Sequence, residues 1–373
     1  MRLGLIRFKY DQAGGAERSF GLLAQGLAQK GHEVHVITTR WEGAPPAGVS
    51  LHLLPAAAGA AREFARAARA QAELLQMDTF LSLDRVPGSP LFRAGDGCHA
   101  AWLARRARYE TFFKRFSFKL RPFHRAVLDL EKKTLKAPEL IKVMANSQMV
   151  ADEIKTLYGL GPERVEVIYN GVEDNPAAWA KRPETRDTLR QEMGLGNETP
   201  VLLFLGSGFE RKGLAFALKA ISHLPEAILW VAGRDRPGRY QLMSRRLGVG
   251  ERVRFLGARA DASALLAAAD ALLLPTIYDP CSNACLEALA CGLPVVTTKG
   301  NGAAELVEEG VSGCVVPEPA DENALALACA RALGLKGPFP CRVPGLDQWL
   351  AATINLMERA AGEQKRGPAG GRP

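Results

Sequence analysis

The chain has 373 residues, of which 47% are hydrophobic and 24% charged, and its formal net charge is +8. This composition is typical of a soluble globular protein and excludes a disordered chain, and the length is sufficient for two ordinary domains. No apolar run reaches the roughly 18 residues that a membrane-spanning helix needs. The basic excess indicates an anionic partner, which can be a phosphate compound, an anionic lipid or a nucleic acid.

Two features bear on the cellular compartment. The opening MRLGLIRFKY lacks the apolar region and the cleavage site of a signal peptide and is typical of a first strand. The seven cysteines have no framework spacing, and an odd number favours a reducing compartment. We therefore expect a cytoplasmic protein.

Short apolar strand candidates alternate with helical segments along the chain. LGLIRF leads through a glycine loop into a helix that begins near Ala16, and the next candidates are EVHVITT, VSLHLL, TFLSL, IKVMANS and VEVIYNG. After a polar stretch over 172–198 the pattern restarts with VLLFLGS, ILWVAGR, RVRFLGA, ALLLPT, LPVVTT and GCVVPE. Such alternation indicates parallel sheets that are covered by helices on both faces.

The two series predict an α/β protein with two doubly wound, Rossmann-like domains that face each other across a cleft. We assign 1–172 to the N-terminal domain and 173–345 to the C-terminal domain. A helix over about 346–361 is expected to pack back on the N-terminal domain, and the tail 362–373 has a disordered composition. The cleft between such domains is the default ligand site.

Two short motifs follow predicted strands. Gly14 and Gly15 come after the first strand and open a helix, where glycine amides can approach an anion closely; an ordinary tight turn fits the spacing equally well. Arg211 and Lys212, in LGSGFERKG, follow the strand that opens the second half. A guanidinium and an ammonium there can neutralise a diphosphate leaving group, although isolated basic pairs are usually solvated.

A third motif places two carboxylates eight residues apart. Asp279 lies in a loop after a strand, and Glu287 lies at the start of an apolar helix, where a carboxylate needs partners. Carboxylates accept hydrogen bonds from sugar and ribose hydroxyls. The loop can also direct the backbone amides of Ser282, Asn283 and Ala284 at the same ligand.

These motifs, in this order, resemble those of the family-4 glycosyltransferases of GT-B fold. The resemblance extends from Arg2 to about Leu356 and is carried by the glycine pair, the RKG segment and the D-x7-E helix that continues into EALACGLPVVTT. The usual family pattern is E-x7-E, so Asp279 is shorter by one methylene. The segments KYDQAGGAERSF, TRWEG and FRAGDGCHAAW are most similar to the members that add the first glucose to the inner-core heptose of lipopolysaccharide.

The resemblance implies retaining, metal-independent transfer of a hexose from a nucleotide sugar, with UDP-glucose as the expected donor, lipopolysaccharide core as the acceptor and no cofactor. It places the diphosphate on Arg211 and Lys212, the transferred sugar on Asp279, the ribose on Glu287 and the donor phosphate and sugar near Gly15. The expected donor-binding residues are Gly14, Gly15, Arg211, Lys212, Asp279, Ser282, Asn283, Ala284 and Glu287.

The acceptor side is expected in GDGCHAAW. By resemblance, Asp96 matches a proposed catalytic aspartate, but its neighbours Gly95 and Gly97 fit an ordinary turn as well. His99 is the alternative catalytic or hydroxyl-binding group. No metal site is expected, because Cys281, Cys285 and Cys291 lie on or near a helix without a fourth ligand and are better explained as buried small residues.

Residues 102–125 are basic and rich in aromatic side chains. The cations expected to contact an anionic membrane are Arg105, Arg106, Arg108, Lys114 and Arg115. Tyr109, Phe112, Phe116 and Phe123 recur at helical spacing and predict one apolar stripe of an interfacial helix; a helix packed on its own domain is the alternative. The protein is therefore expected to lie peripherally on the inner face of the inner membrane. No nucleic-acid module is recognisable.

Other functions remain compatible with the same motifs. A family-4 enzyme can use another glycolipid or polysaccharide as its acceptor. A sugar-nucleotide epimerase of GT-B fold would need no lipid acceptor, and a non-enzymatic membrane-surface protein would need none of the donor-binding residues.

Overall fold

The computed structural model describes residues 1–10, 15–55, 61–110, 121–173, 182–335, 337 and 339–366. The chain divides into two compact units. The first unit comprises Met1–Tyr169 together with the chain from Asp347 onward, and the second unit is Asn170–Leu346. Each unit is built around its own parallel sheet.

The first unit alternates strands and helices. Its strands are β1 (Arg2–Ile6), β2 (Lys9–Tyr10), β3 (Glu33–Thr38), β4 (Arg40–Trp41), β5 (Val49–Leu53), β6 (Thr79–Ser82), β7 (Leu91–Ala94), β8 (Lys142–Ala145) and β9 (Val165–Val167). Its helices up to this point are α1 (Gly15–Gln29), α2 (Ala61–Leu74), α3 (His99–Ala107), α4 (Pro122–Leu135) and α5 (Gln148–Tyr158).

Within the described residues, the main sheet of this unit has seven parallel strands in the order β5-β3-β1-β6-β7-β8-β9. β1 lies between β3 and β6, and Ile6 is in register with Ile37 on one side and Ser82 on the other. The central strands are buried on both faces, which explains their almost continuous apolar sequences. Because parallel strands end at one edge, the turns after β1, β6 and β7 come close together.

The second unit repeats the pattern. Its strands are β10 (Val201–Leu205), β11 (Ile228–Ala232), β12 (Val253–Gly257), β13 (Ala271–Leu274), β14 (Val295–Thr298) and β15 (Gly313–Val316), and they form a parallel sheet in the order β12-β11-β10-β13-β14-β15. Its helices are α6 (Arg182–Glu192), α7 (Leu214–Ser222), α8 (Gly238–Arg246), α9 (Ala262–Ala268), α10 (Asn283–Ala290) and α11 (Glu322–Leu333).

Local sequence signals set several helix ends. The hydroxyl of Ser147 accepts a hydrogen bond from the Val150 amide at 3.2 Å and begins α5, and Gly159 ends this helix in the left-handed conformation at φ 70°. Asp321 begins α11 in the same way, by accepting from the Ala324 amide at 2.9 Å. These ends are dictated by neighbouring residues.

The polar stretch 172–198 is more than the connection that the sequence suggested, because it contains α6. Arg190 is fully buried, and its guanidinium donates to Asp270 at 3.3 Å. Arg186 also donates to Asp270, at 2.7 Å. The buried arginine and its carboxylate partner attach α6 to the second unit. This stretch therefore forms a helix, although its polar sequence predicted a linker.

The last helix, α12 (Leu346–Arg366), packs on the first unit. Trp349 and Met357 are buried along one face, and the Arg359 guanidinium pairs with Glu166 at 2.7 Å. The helix continues beyond residue 361, where the sequence predicted a disordered tail, because EQKR consists of good helix formers. Lys365 contacts Asp78 at 3.1 Å. Residues 367–373 of the predicted tail lie outside the described residues.

The basic stretch 102–125 does not form the single helix that its aromatic spacing predicted. α3 ends at Ala107, before Tyr109, and Phe123 lies on the separate helix α4. Arg121 is extended at φ −69° and ψ 121°, because the following proline disfavours helical backbone. Pro122 then starts α4 as its first residue. Phe112 and Phe116 lie outside the described residues.

Candidate functional site

The RKG segment lies in the turn between β10 and α7. Gly213 adopts φ 80°, and a Cβ atom there would lie 1.9 Å from the carbonyl oxygen of Pro275. Gly206 adopts φ 127°, and a Cβ atom there would lie 2.8 Å from Cε of Lys212. Both glycines are therefore required by the backbone and by close packing. They bring Lys212 against the loop that follows β13.

Arg211, Lys212 and Asp279 form an ion cluster. Lys212 Nζ lies 2.9 Å and Arg211 Nη1 lies 3.1 Å from the same carboxylate oxygen, Oδ2 of Asp279. The Lys212 ammonium also donates to the hydroxyl of Ser282 at 3.3 Å, and Arg211 Nη1 donates to the carbonyl of Tyr278 at 3.0 Å. The structure thus brings together four residues that the sequence assigned to the donor.

The two cations of the cluster differ in how deeply their side chains are buried. The Lys212 and Asp279 side chains are 10% and 8% exposed, whereas that of Arg211 is 34% exposed. Burial alone would raise the pKa of the Asp279 carboxyl, but the charges of Lys212 and Arg211 outweigh it and hold this pKa below its usual value. Asp279 is therefore a carboxylate at neutral pH, and the cluster carries a net positive charge.

The loop that carries Asp279 is fixed by backbone hydrogen bonds. The Arg211 carbonyl accepts from the Ile277 amide at 2.9 Å, and the Asp279 amide donates to the Gly300 carbonyl at 2.8 Å. The Asp279 carbonyl in turn accepts from the Gly302 amide at 2.9 Å. These bonds hold the carboxylate in place before any ligand binds, which is the requirement for a preorganised site.

Helix α10 begins directly after this loop. Ser282 is its N-cap residue, so Asn283 and Ala284 lie in its first turn, where the helix dipole favours an anion. The side-chain oxygen of Asn283 accepts from the Asn170 amide at 2.8 Å, in the assigned amide orientations. Glu287 is half-buried on the same helix. Of the glycine pair, Gly15 is the first residue of α1, and Gly14 lies outside the described residues.

The predicted acceptor-side residues lie in the first unit, beyond β7. Asp96 is exposed, and Gly97 after it is left-handed at φ 68°. His99 begins α3, and its Nε2 atom lies 3.0 Å from Nδ1 of His124. Burial, helped by the charge of Arg85, lowers the pKa of His99 to about 4. His99 is thus neutral at pH 7 and a weak base, and Asp96 is the more accessible group.

A buried network around Glu131 supports this region, and the sequence did not reveal it. Glu131 is 1% exposed and accepts from Arg85 Nε at 3.0 Å and from the His99 amide at 2.7 Å. The Tyr158 hydroxyl also donates to it. Its carboxylate therefore caps α3, where the dipole favours negative charge. The sequence signal for a buried carboxylate was a glutamate on the apolar face of a helix. Its partners could not be predicted, because they are distant in the sequence.

The cations assigned to a membrane surface differ in their surroundings. Arg105 pairs with Glu153 at 3.2 Å, and Arg106 pairs with Glu110 at 3.3 Å; both arginines are half-buried. Arg108 is exposed. Lys114 and Arg115 lie outside the described residues. None of the helices in the described part of the chain combines the length and apolarity required to cross a membrane.

The three cysteines considered as metal ligands are free thiols. Cys281 and Cys285 are buried, and Cys291 is half-buried. Burial raises the pKa of Cys281 strongly and that of Cys285 to about 11, so both remain protonated thiols. Among the described residues, no group of three or more His, Cys, Asp or Glu side chains is arranged to hold a metal ion.

Two family models match the chain in succession. The model described as Glycosyltransferase Family 4 matches residues 13–175, and the model described as Glycosyl transferases group 1 matches residues 199–334. The lipopolysaccharide glucosyltransferase WaaG of Escherichia coli K12 is 29% identical over 342 residues, which are 89% of this chain and 90% of that protein.

Solved structures agree with these sequence matches. The crystal structure of WaaG, a glycosyltransferase involved in lipopolysaccharide biosynthesis, is 27% identical with a TM-score of 0.75 and covers 96% of this chain and 98% of its own. The structure of Anabaena HepE in complex with UDP-glucose is 21% identical, with a TM-score of 0.62, and is similar in fold. The match covers 95% of this chain and 100% of the HepE chain. The predicted α/β fold with two parallel-sheet domains of GT-B type is confirmed.

Proposed function

Because the chain belongs to the family-4 glycosyltransferases of GT-B fold and is a hexosyltransferase, we propose that it transfers glucose from UDP-glucose to the heptose of a lipopolysaccharide inner core. The observation that carries the proposal is the cluster of Arg211, Lys212 and Asp279, a fixed cationic site at the carboxyl edge of the second sheet. The 29% identity to a lipopolysaccharide glucosyltransferase over nine tenths of its length supports glucose as the transferred sugar and lipopolysaccharide as the acceptor.

The donor contacts follow from the charges of the cluster. Arg211 has a third of its side chain exposed, so in this proposal its guanidinium contacts the diphosphate, and the buried Lys212 ammonium adds a second positive charge beside it. Both cations contact Oδ2 of Asp279, so within the described residues Oδ1 is left to accept from a hydroxyl of the transferred sugar. The first-turn amides of Asn283 and Ala284 add a helix N-terminus that favours phosphate.

Chemistry then requires that the departing diphosphate be stabilised. The two cations and the helix N-terminus supply positive charge where negative charge develops, and in this proposal no divalent metal is needed. Glu287 accepts from the ribose hydroxyls. The acceptor hydroxyl attacks on the face from which the diphosphate leaves, with retention of configuration, and its proton passes to the leaving-group oxygen.

On the acceptor side, Asp96 is the proposed catalytic group. Its carboxylate is exposed beyond β7 and can accept a hydrogen bond from the attacking hydroxyl. His99 has its Nε2 atom engaged with His124 and a depressed pKa, and we assign it to positioning rather than to proton transfer.

Membrane contact is the remaining part of the proposal. We place the protein in the cytoplasm, peripherally on the inner face of the inner membrane, with the exposed Arg108 and the neighbouring Lys114 and Arg115 contacting anionic headgroups. Arg105 and Arg106 are paired within the first unit and contribute to its folding instead.

The test is a matrix of nucleotide sugars against purified truncated core lipopolysaccharides, with the linkage of each product determined. The proposal predicts transfer from UDP-glucose to cores that end in heptose. Transfer only to cores that end in another sugar would show that heptose is not the acceptor. Conversion of the donor to its epimer without any acceptor would instead support the epimerase.

A further inference from the structure

The first unit contains a cavity of about 290 Å³ beyond the carboxyl ends of β1 and β6. Its lining includes Phe8, Phe64, Asp84, Arg85, Phe123 and Leu130. Ligands of open parallel sheets bind in crevices at this edge. Small-molecule pockets measure about 300 to 1,000 Å³, so a cavity at the lower limit fits one small ring.

The apolar part of the lining is largely aromatic. The rings of Phe8 and Phe64 meet edge to face with centroids 5.0 Å apart. Phe123, at the start of α4, is 66% exposed although it lines the cavity. A flat aromatic surface of this kind can cover the apolar face of a ring, and such a contact would remove the exposed ring of Phe123 from water.

The polar part of the lining is a fixed carboxylate beside a fixed guanidinium. Oδ2 of Asp84 accepts from the Phe8 amide at 2.7 Å, and within the described residues this is the only direct hydrogen bond to the side-chain carboxylate, so Oδ1 can accept from a ligand. Arg85 is held by Glu131 and donates to the Gly97 carbonyl at 2.9 Å. The charged groups of the cavity are therefore preorganised.

The cavity adjoins the loop of the proposed catalytic group. Arg85 lines the cavity and bonds to Gly97, the residue after Asp96. Burial raises the pKa of the Asp84 carboxyl, and the nearby charge of Asp96 raises it further, although Arg7 and the Phe8 amide act in the opposite direction. The two carboxylates are thus neighbours at the same edge of the sheet.

We propose that this cavity binds a sugar ring of the acceptor, with Asp84 accepting hydrogen bonds from its hydroxyls and Phe123 covering its apolar face. An aromatic face next to a carboxylate matches a saccharide, which presents C–H groups on its faces and hydroxyls at its edge. Asp84 and Phe123 are acceptor-binding residues here, and Asp96 keeps the catalytic role. The inference rests on the proposed function for the acceptor being a saccharide.

Ligand-observed NMR tests the cavity without turnover. The probes are the methyl glycosides of heptose and glucose, and sodium octanoate as an apolar chain of similar bulk. The inference predicts saturation transfer to a methyl glycoside with the wild-type protein, and its loss in both Asp84→Asn and Phe123→Ala. Leu74→Ala removes an apolar side chain that is even more exposed than Phe123, 78% against 66%, on the adjacent helix α2, and should leave the signal unchanged. Binding of octanoate alone, or of no probe, would overturn the inference.

Kinetics separates this inference from the proposed function. With UDP-glucose and a heptose-terminated core, Asp84→Asn should raise the acceptor KM about tenfold, the usual effect of one weakened hydrogen bond to a charged group. Phe123→Ala should raise it by about fivefold to tenfold through the lost aromatic contact, and in both variants the donor KM should change less than about twofold. The Tm of each variant identifies any loss of folding. Unchanged acceptor KM in both variants would refute the cavity assignment and leave the proposed function intact. Glycoside binding that is lost in both variants, without transfer to any heptose core, would support the cavity assignment and refute the proposed function.

Discussion

Replacing Lys212 with alanine tests the ion cluster in two independent ways. The substitution removes the ammonium that we place on the leaving diphosphate, and loss of one preorganised charge-stabilising group typically lowers kcat by about 100- to 1,000-fold. It also removes one of two cations from Asp279, whose side chain is only 8% exposed. Breaking a buried ion pair costs about 3–5 kcal/mol, and Arg211, still 3.1 Å from the same oxygen, should hold the loss near the lower end.

The assay combines turnover at saturating donor with urea unfolding. The double variant Lys212→Ala/Asp279→Ala should recover at least ~1 kcal/mol of unfolding free energy relative to Lys212→Ala, because no unpaired carboxylate remains buried. Its activity should stay at the level of the single variant or below. A Lys212→Ala enzyme that retains kcat within threefold would refute the leaving-group role, and equal stability of the single and double variants would refute the ion-pair reasoning.

Three further predictions concern the fold, pH and membrane contact. Gly213→Ala should destabilise the protein by about 3 kcal/mol or more, because its Cβ would clash with the Pro275 carbonyl, whereas Gly238→Ala meets open space and should cost less than ~1 kcal/mol; thermal unfolding compares them. The folded-state pKa of His99, about 4, lies below its unfolded value near 6.5, so the unfolded chain binds the extra proton between these values and stability should fall as pH drops through this window. His99→Gln should flatten that slope in urea titrations at pH 4.5, 5.5 and 6.5, and an unchanged slope would contradict the assignment. Arg108→Gln should weaken binding to anionic vesicles about fivefold, from a loss of ~1 kcal/mol, and binding that does not change would argue against membrane contact by this residue.

The parts of the fold and site that the sequence predicted are those with local signals. The alternation of apolar strands and helices defines two parallel sheets, and the family assignment is confirmed. The RKG turn and the loop of Asp279 are each continuous in sequence, and a parallel sheet brings the ends of adjacent strands β10 and β13 together. Lys212 and Asp279 are 67 residues apart, but this topology makes their contact predictable.

The remaining parts depend on contacts without a local pattern. Glu131 bonds to Arg85, 46 residues away, and to Tyr158, 27 residues away, and no motif joins the three. The aromatic residues over 109–123 recur at helical spacing, which predicted one interfacial helix. Pro122 instead begins a new helix, because a proline disfavours helical backbone at the residue before it. The polar sequence of α6 likewise predicted a linker and not a helix. Arg190 is buried there by contacts such as that with Asp270, which lies 80 residues away and has no local sequence signal.

The most direct test of the central claim is the structure of the product formed from UDP-glucose and a purified heptose-terminated core in the presence of EDTA. NMR of that product should show one new glucose, attached to heptose through an α linkage that retains the configuration of the donor. A β-linked product, strict dependence on added metal, or no transfer to heptose would contradict the account.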